Sequence, residues 1–404
     1  MKTKRLISFL AVLLMTVTLG TALAEDTTIV FWHTYGDAET PILLDQIIPM
    51  FEAANPGIKV EAVRQDGGQF NQMLVAAFGT GMVPDVARVD IVQTAAYANL
   101  GGIVALDSMD GFAQLKDAVL AGPLSTNLYQ GSYYGLPLNT NCKAAVMNMN
   151  VMAELGFTEP PKTMEEFIAA CMEKKPGEYM LNVSGVGDWD LYPYFWLFGG
   201  VLTDDGFTKA SGYLDSAQSV AAIEKLKEIH DAGVFTIRDV DGTPDAWDGI
   251  HSQYAMFFEG PWAPFNADEN IIPALIPTYN GKSATVVGGE NIVLFAASTK
   301  QEAAWKFAQF MMTEDVQLAL LQVGVIPTLK SCVESPQVLA DPKWSVYMQQ
   351  LESAKSRIPT PQATTVNQHW SDAMNLIFLE SADVQQTLTD AALLIDEALA
   401  EGAN

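Results

Sequence analysis

Apolar positions in the first third of the chain switch repeatedly between two spacings. Thr28 to Trp32 (Thr-Ile-Val-Phe-Trp) is β-branched and aromatic, the mark of a short buried strand. A polar loop, His33 to Thr40, follows it. From Pro41 the apolar residues Ile42, Leu43, Ile47 and Phe51 recur at helical spacing, until Asn55-Pro56-Gly57 ends the helix. Ile58 to Val63 returns to a strand, Gln69 to Phe78 reads as a helix, and Val83-Pro84-Asp85-Val86 leads into a strand through Val89. This βαβαβ alternation predicts an α/β domain with helices packed on a largely parallel sheet.

The same reading extends downstream. Tyr134 to Thr140 punctuates the chain and is a candidate crossing between two lobes. Further helices are predicted over Met164 to Lys174, Ala221 to His230 and Gln301 to Leu321. In the last of these Ala304, Phe307, Ala308 and Met311 form one stripe, and Glu302 supports Lys306 at i,i+4. Prolines from Ile272-Pro273 to Pro277 suggest a return crossing. A C-terminal helix carries Val384, Leu388, Ala392, Ile395 and Leu399 on one face. No internal repeat is visible.

Composition changes the picture in two ways. Lys2, Lys4 and Arg5, the apolar run Leu6 to Leu19 and Ala22-Leu23-Ala24 form a secretory signal over residues 1–24, with no cysteine at the cut to mark a lipoprotein. The product is expected to be periplasmic or extracellular. Removing these 24 of 404 residues leaves 380, more than one core usually serves. It also removes three cations, so the net charge moves from −26 to −29. Nucleic acid and anionic membrane surfaces are repelled by such a chain and are not expected partners. The three cysteines (Cys142, Cys171, Cys332) define no disulfide framework. The four histidines are scattered without ligand spacing, so neither metal nor cofactor is predicted.

The most informative chemistry lies in Phe257-Phe258-Glu259-Gly260-Pro261-Trp262, where an apolar run stops at a turn holding a carboxylate and a large aromatic. A flat apolar ring beside an acceptor-only carboxylate suits a ligand with C–H faces and hydroxyls, as a sugar has. A core tryptophan after a turn would read the same way. After the first strand, Tyr35, Asp37 and Glu39 lie where open α/β sheets bind ligands, although Asp37 or Glu39 would equally complement the dipole of the coming helix. Asp90 ends another strand, as ligand contact or helix cap. Gln65 and Asp66 flank Gly67-Gly68, and Gly289-Glu290 permits close backbone approach or an ordinary turn. Trp189, between Asp188 and Asp190, reads as a stacking candidate, whereas Trp196, Trp305 and Trp344 read as packing residues.

The order of several segments resembles the family 1 extracellular solute-binding proteins of ABC importers, the maltose-binding-like group. The carriers are Phe31-Trp32, Phe51-Glu52 with Asn55 to Val60, Gly81 with Pro84-Asp85-Val86, and Gly135-Leu136-Pro137. They continue with Asn148 to Phe157, Phe257 to Trp262, Gly288 to Asn291, and Ala304 to Phe307. The resemblance implies a two-lobed periplasmic-binding-protein fold (type II-like), each lobe a sheet flanked by helices, with ligand in the cleft between them. It implies lobes at 25–137 with 276–317, and at 138–275 with 318–404. It further implies a monomeric, non-catalytic receptor that delivers a mono- or oligosaccharide to ABC transporter permease subunits by hinge closure. Trp262 matches the family's stacking tryptophan, and Trp370 falls where relatives keep another. Two departures bear on the ligand: Val146-Met147-Asn148 lacks the family's tyrosine, and Asn141 stands where some relatives carry a carboxylate. A secreted glycoside-acting enzyme, or a receptor for another polar solute such as a polyamine, is the alternative.

Overall fold

The computed structural model describes residues 26–263, 265 and 268–402. The secretory segment expected over residues 1–24 lies outside the described residues. Two main sheets are built from β1 (Thr27–His33), β2 (Ile58–Arg64), β3 (Val86–Asp90), β4 (Leu136–Cys142), β5 (Ala144–Asn148), β6 (Leu181–Val183), β7 (Phe235–Ile237), β8 (Met256–Glu259), β9 (Ile271–Ala274), β10 (Thr285–Leu294) and β11 (Ala354–Ser356). The first sheet runs β11-β10-β3-β1-β2, with β4 also paired to β10, and the second runs β9-β5-β8-β6-β7. In the first, β2 and β3 flank β1 in parallel, and β10 is antiparallel to both β3 and β4.

Both sheets are covered on two faces, which explains their near-continuous apolar strands. In the first, Ile29 and Phe31 enter one core while Ala87 and Val89 enter the core on the other face. In the second, Met256 and Phe258 enter a large helical core and Phe257 enters a smaller one. Alternate side chains of a strand point to opposite faces, so each run feeds two layers.

The chain passes between the sheets three times. It leaves the first sheet at Cys142, crosses at Lys143 and enters the second at Ala144. It returns between Ala274 and Thr285, and leaves again after Ser356 toward the helix Ala363–Glu380, which packs on the second core. Ile276 and Ala284 belong to the second core, while Leu320, Val325, Leu329 and Cys332 belong to the first. These attachments differ from the divisions at 137, 276 and 317 expected from the sequence.

Most helices follow the apolar stripes. Met164–Lys174 carries a capping box in which Thr163 and Glu166 satisfy each other's backbone amides. The stretch read as one helix over Gln301 to Leu321 is two, Gln301–Met311 and Glu314–Leu321, broken at Met312-Thr313. Asp188–Leu197 is a helix despite Pro193 inside it, because its side chains from Leu191 onward are held in the second core. Among the described residues no helix is long and apolar enough to cross a membrane. No group of three or more His, Cys, Asp or Glu among them is placed to hold a metal ion.

Candidate functional site

A cavity of about 730 Å³, lined by many charged and amide side chains, lies between the two sheets. One wall comes from segments beyond the carboxyl ends of β1, β2 and β3, where an open α/β sheet presents loops and helix starts. Its floor is the paired strands β4 and β10, through Asn139, Thr140, Asn141 and Glu290. The opposite wall includes Asp188, Trp262, Arg357 and Asn367.

Two buried arginines organise the charges. Arg88 points from β3, where it donates to Thr34 Oγ1 at 2.7 Å and pairs with Glu290 Oε2 at 2.8 Å. Asn139 Nδ2 donates to the same Glu290 oxygen at 2.6 Å. Burial raises the Glu290 pKa against the opposing pull of Arg88. Arg357 follows β11 and reaches both walls, donating to Asp90 Oδ1 at 2.8 Å and lying 3.9 Å from Asp188 Oδ2. Burial also raises the Asp188 pKa, with Arg357 opposing it.

Several buried polar atoms of residues lining the cavity have no hydrogen-bond partner among the described residues: Arg88 Nε, Arg357 Nε, Asn139 Oδ1 and Asn141 Oδ1. Because Asn139 gives its amide to the Glu290 carboxylate, its free atom is the acceptor. The set therefore mixes donors and acceptors, and a buried unpaired group of either kind costs free energy until something meets it. Hydroxyl groups serve both.

The expected site residues divide. Asp37, Glu39, Asp90, Asn141, Glu290 and Trp262 line the cavity, and Trp262 is 42% exposed. Asp37 also pairs with Arg64 at 2.7 Å, Glu39 accepts the Gly36 amide, and Asp90 caps the turn at Val92. Tyr35 is fully buried beneath Arg88, whose guanidinium carbon is 4.4 Å from its ring centre, so it supports the wall without lining it. Trp189 stands behind Trp262, with ring centres 6.2 Å apart and planes at 23°.

Besides Tyr35 and Trp189, five more of the expected residues stand off the lining. Trp370 is fully buried, donates its indole N–H to the Val186 carbonyl at 2.7 Å and packs against Tyr192 and Phe195. It is a core residue, and the stripe Val366, Trp370, Ala373, Ile377 along its helix is the signal that marks it so. Asp66 caps the helix Gly67–Thr80 through the Gly68 amide and stays outside the lining. Gln65 is likewise outside it, half-buried, with its backbone amide given to the His33 carbonyl. Glu259 folds back on the Gly260 amide at 2.7 Å, and burial raises its pKa with the crossing residue Lys143 opposing. Gly289 serves the backbone of β10: its φ is +136°, and a Cβ there would overlap the Asn139 carbonyl.

Arg88, Asp188, Asn139, Asn367 and Arg357 are lining residues that sequence reasoning missed. Arg88 had a signal, a cation within the apolar run Val86 to Val89, since such residues are rarely buried unpaired. Arg357 had none, because its carboxylate partner is 267 residues away.

Residues 46–345 match the family model described as bacterial extracellular solute-binding protein. Among solved structures, the GacH receptor of Streptomyces glaucescens GLA.O, determined unliganded and with acarbose, is 22% identical, with a TM-score of 0.80 over 94% of this chain and 98% of that one. An ABC transporter solute-binding protein of Thermotoga lettingae TMO bound with α-D-tagatose is 22% identical, with a TM-score of 0.79 over 93% and 100%. These likenesses establish the two-lobed fold. In sequence, the diacetylchitobiose binding protein DasA of Streptomyces coelicolor is 25% identical over 301 residues, 69% of this chain and 68% of that one.

Proposed function

Because the chain belongs to the bacterial extracellular solute-binding proteins, we propose that it is an exported, monomeric receptor for a mono- or oligosaccharide. It closes around the sugar and presents it to the permease subunits of an ABC importer. The reading rests above all on the pairing of an exposed indole, Trp262, with the arginine, carboxylate and asparagine side chains that line the same cavity. An indole face packs on sugar C–H groups while the guanidinium and amide atoms meet hydroxyls. A volume of about 730 Å³ lies within the ordinary range for small-molecule sites. The acarbose, α-D-tagatose and diacetylchitobiose named for the relatives support a carbohydrate of one to a few rings.

Where the groups sit supports closure: Arg88 and Asp90 stand on the first sheet and Asp188 and Trp262 on the second body, so a sugar in the cavity meets groups of both. Binding then favours the closed arrangement by its differential contacts. Catalysis is not part of this reading. Glycoside hydrolysis needs two carboxyl groups facing one bond, and Glu259 turns away to Gly260 while Asp90 is engaged by Arg357.

Five carboxylates against two arginines in the lining favour a cationic solute as the second reading. Calorimetric titration with acarbose, N,N′-diacetylchitobiose, maltotriose, cellobiose and α-D-tagatose, alongside spermidine, tests the choice. Saturable binding of a sugar, little changed by salt, is the expected result. Binding of spermidine alone, weakening steeply with salt, would replace the carbohydrate reading.

A further inference from the structure

Trp189 stands against a residue at or beside each of the three crossings. Its ring atoms Cζ3 and Cη2 lie 2.6 and 2.9 Å from where a Cβ on Gly288 would stand, so the indole rests directly on the backbone of β10. Lys143, the residue between β4 and β5, places its ammonium 5.1 Å from the ring centre and pairs with Asp190 at 2.8 Å. Arg357, immediately after β11, places its guanidinium carbon 5.7 Å from the same centre. A further neighbour is the half-exposed Trp262 of the cavity wall.

We propose that Trp189 is a positioning residue that carries the placement of Trp262 onto all three crossing segments, so that occupancy of the cavity sets the angle between the two bodies. The proposal rests on the receptor reading above. A solute seated on Trp262 presses on a ring already stacked against Trp189. Trp189 has no free space toward Gly288, and close-packed groups pass displacement on instead of absorbing it. Its own attachment leaves room to move: Pro193 has no N–H to give the Trp189 carbonyl, which relaxes the first turn of the helix Asp188–Leu197. The two cations hold the ring in place relative to the crossing strands.

Pulsed electron–electron spectroscopy on the full exported chain, spin-labelled at Glu61→Cys and Glu224→Cys, reads the separation of the bodies. Both positions are exposed, one on each body, and the three native cysteines are buried. The probes are the five sugars of the calorimetric panel. In the otherwise native chain a panel sugar shortens the distance. In Trp189→Leu the same sugar still binds, weakened about tenfold by loss of the aromatic stack, but the shortening is lost. Trp189→Phe, which keeps a ring over Gly288 and between the cations, restores most of it. Unaltered shortening in Trp189→Leu would overturn the coupling and leave the receptor reading standing. If no sugar shortens the distance in the native background, the receptor reading fails, and the coupling fails with it.

Discussion

Two tryptophans that look alike in sequence should respond in opposite ways to truncation. Trp262→Ala removes an exposed face from the cavity and is expected to weaken sugar binding at least about tenfold in calorimetry, with little change in melting temperature. Trp370→Ala empties a fully buried site and breaks the hydrogen bond to Val186, so it should cost roughly 3–5 kcal/mol in denaturant unfolding. Its folded fraction should bind as the unaltered chain does. His33 offers a pH test. Burial, aided by Arg88 and Arg64, lowers its pKa to about 4, and its Nδ1 accepts the Tyr35 amide in the neutral form. A depressed pKa means the unfolded chain takes up the proton first. The stabilisation is complete above pH 6.5, the ordinary value, and is lost as pH falls toward 4. His33→Gln should flatten that part of the stability–pH profile by about 1–2 kcal/mol in urea unfolding, solvent near the loop screening part of the effect. The aromatic half of the site was readable from Phe257 to Trp262 because a turn interrupts an apolar run there. The guanidinium half was not, since Arg357 meets Asp90 only through the fold.

Among the strands, β10 carries the most conflicting demands. It pairs with β3, β4 and β11, and its register with β4 shifts between Glu290 and Asn291. The shift lets Glu290 serve the cavity while Asn291 turns inward to bond Thr94 and Asn127. Gly289, at φ +136° beside the Asn139 carbonyl, permits this. Gly289→Ala should therefore cost about 2 kcal/mol or more by denaturant unfolding and shift Glu290 from its place against Arg88. The strands and helices of the first body were legible because their apolar spacing is regular over many residues. Thr285 to Leu294 was legible only as a glycine pair with polar neighbours, since its ten residues serve three strand partners, a cavity and a polar core contact at once. The helix Asp188–Leu197 was hidden for a related reason: tertiary burial of Tyr192, Tyr194, Phe195 and Trp196 outweighs the proline within it.

Two separately packed bodies joined by three crossings are expected to change their relative angle more readily than either core deforms. The polar groups of the cavity are split between the bodies, and that split is what a receptor needs to register cargo. Salt should change sugar affinity little in calorimetry, because a neutral sugar brings no charge for salt to screen and the Arg88 and Arg357 guanidinium groups are buried. Small-angle X-ray scattering of the purified chain, recorded with and without the tightest sugar of the panel, decides whether the bodies close on a carbohydrate. Closure predicts a smaller radius of gyration on binding, and no release of reducing sugar from a glycoside. An unchanged radius at saturation, or turnover of the sugar, would overturn the receptor reading.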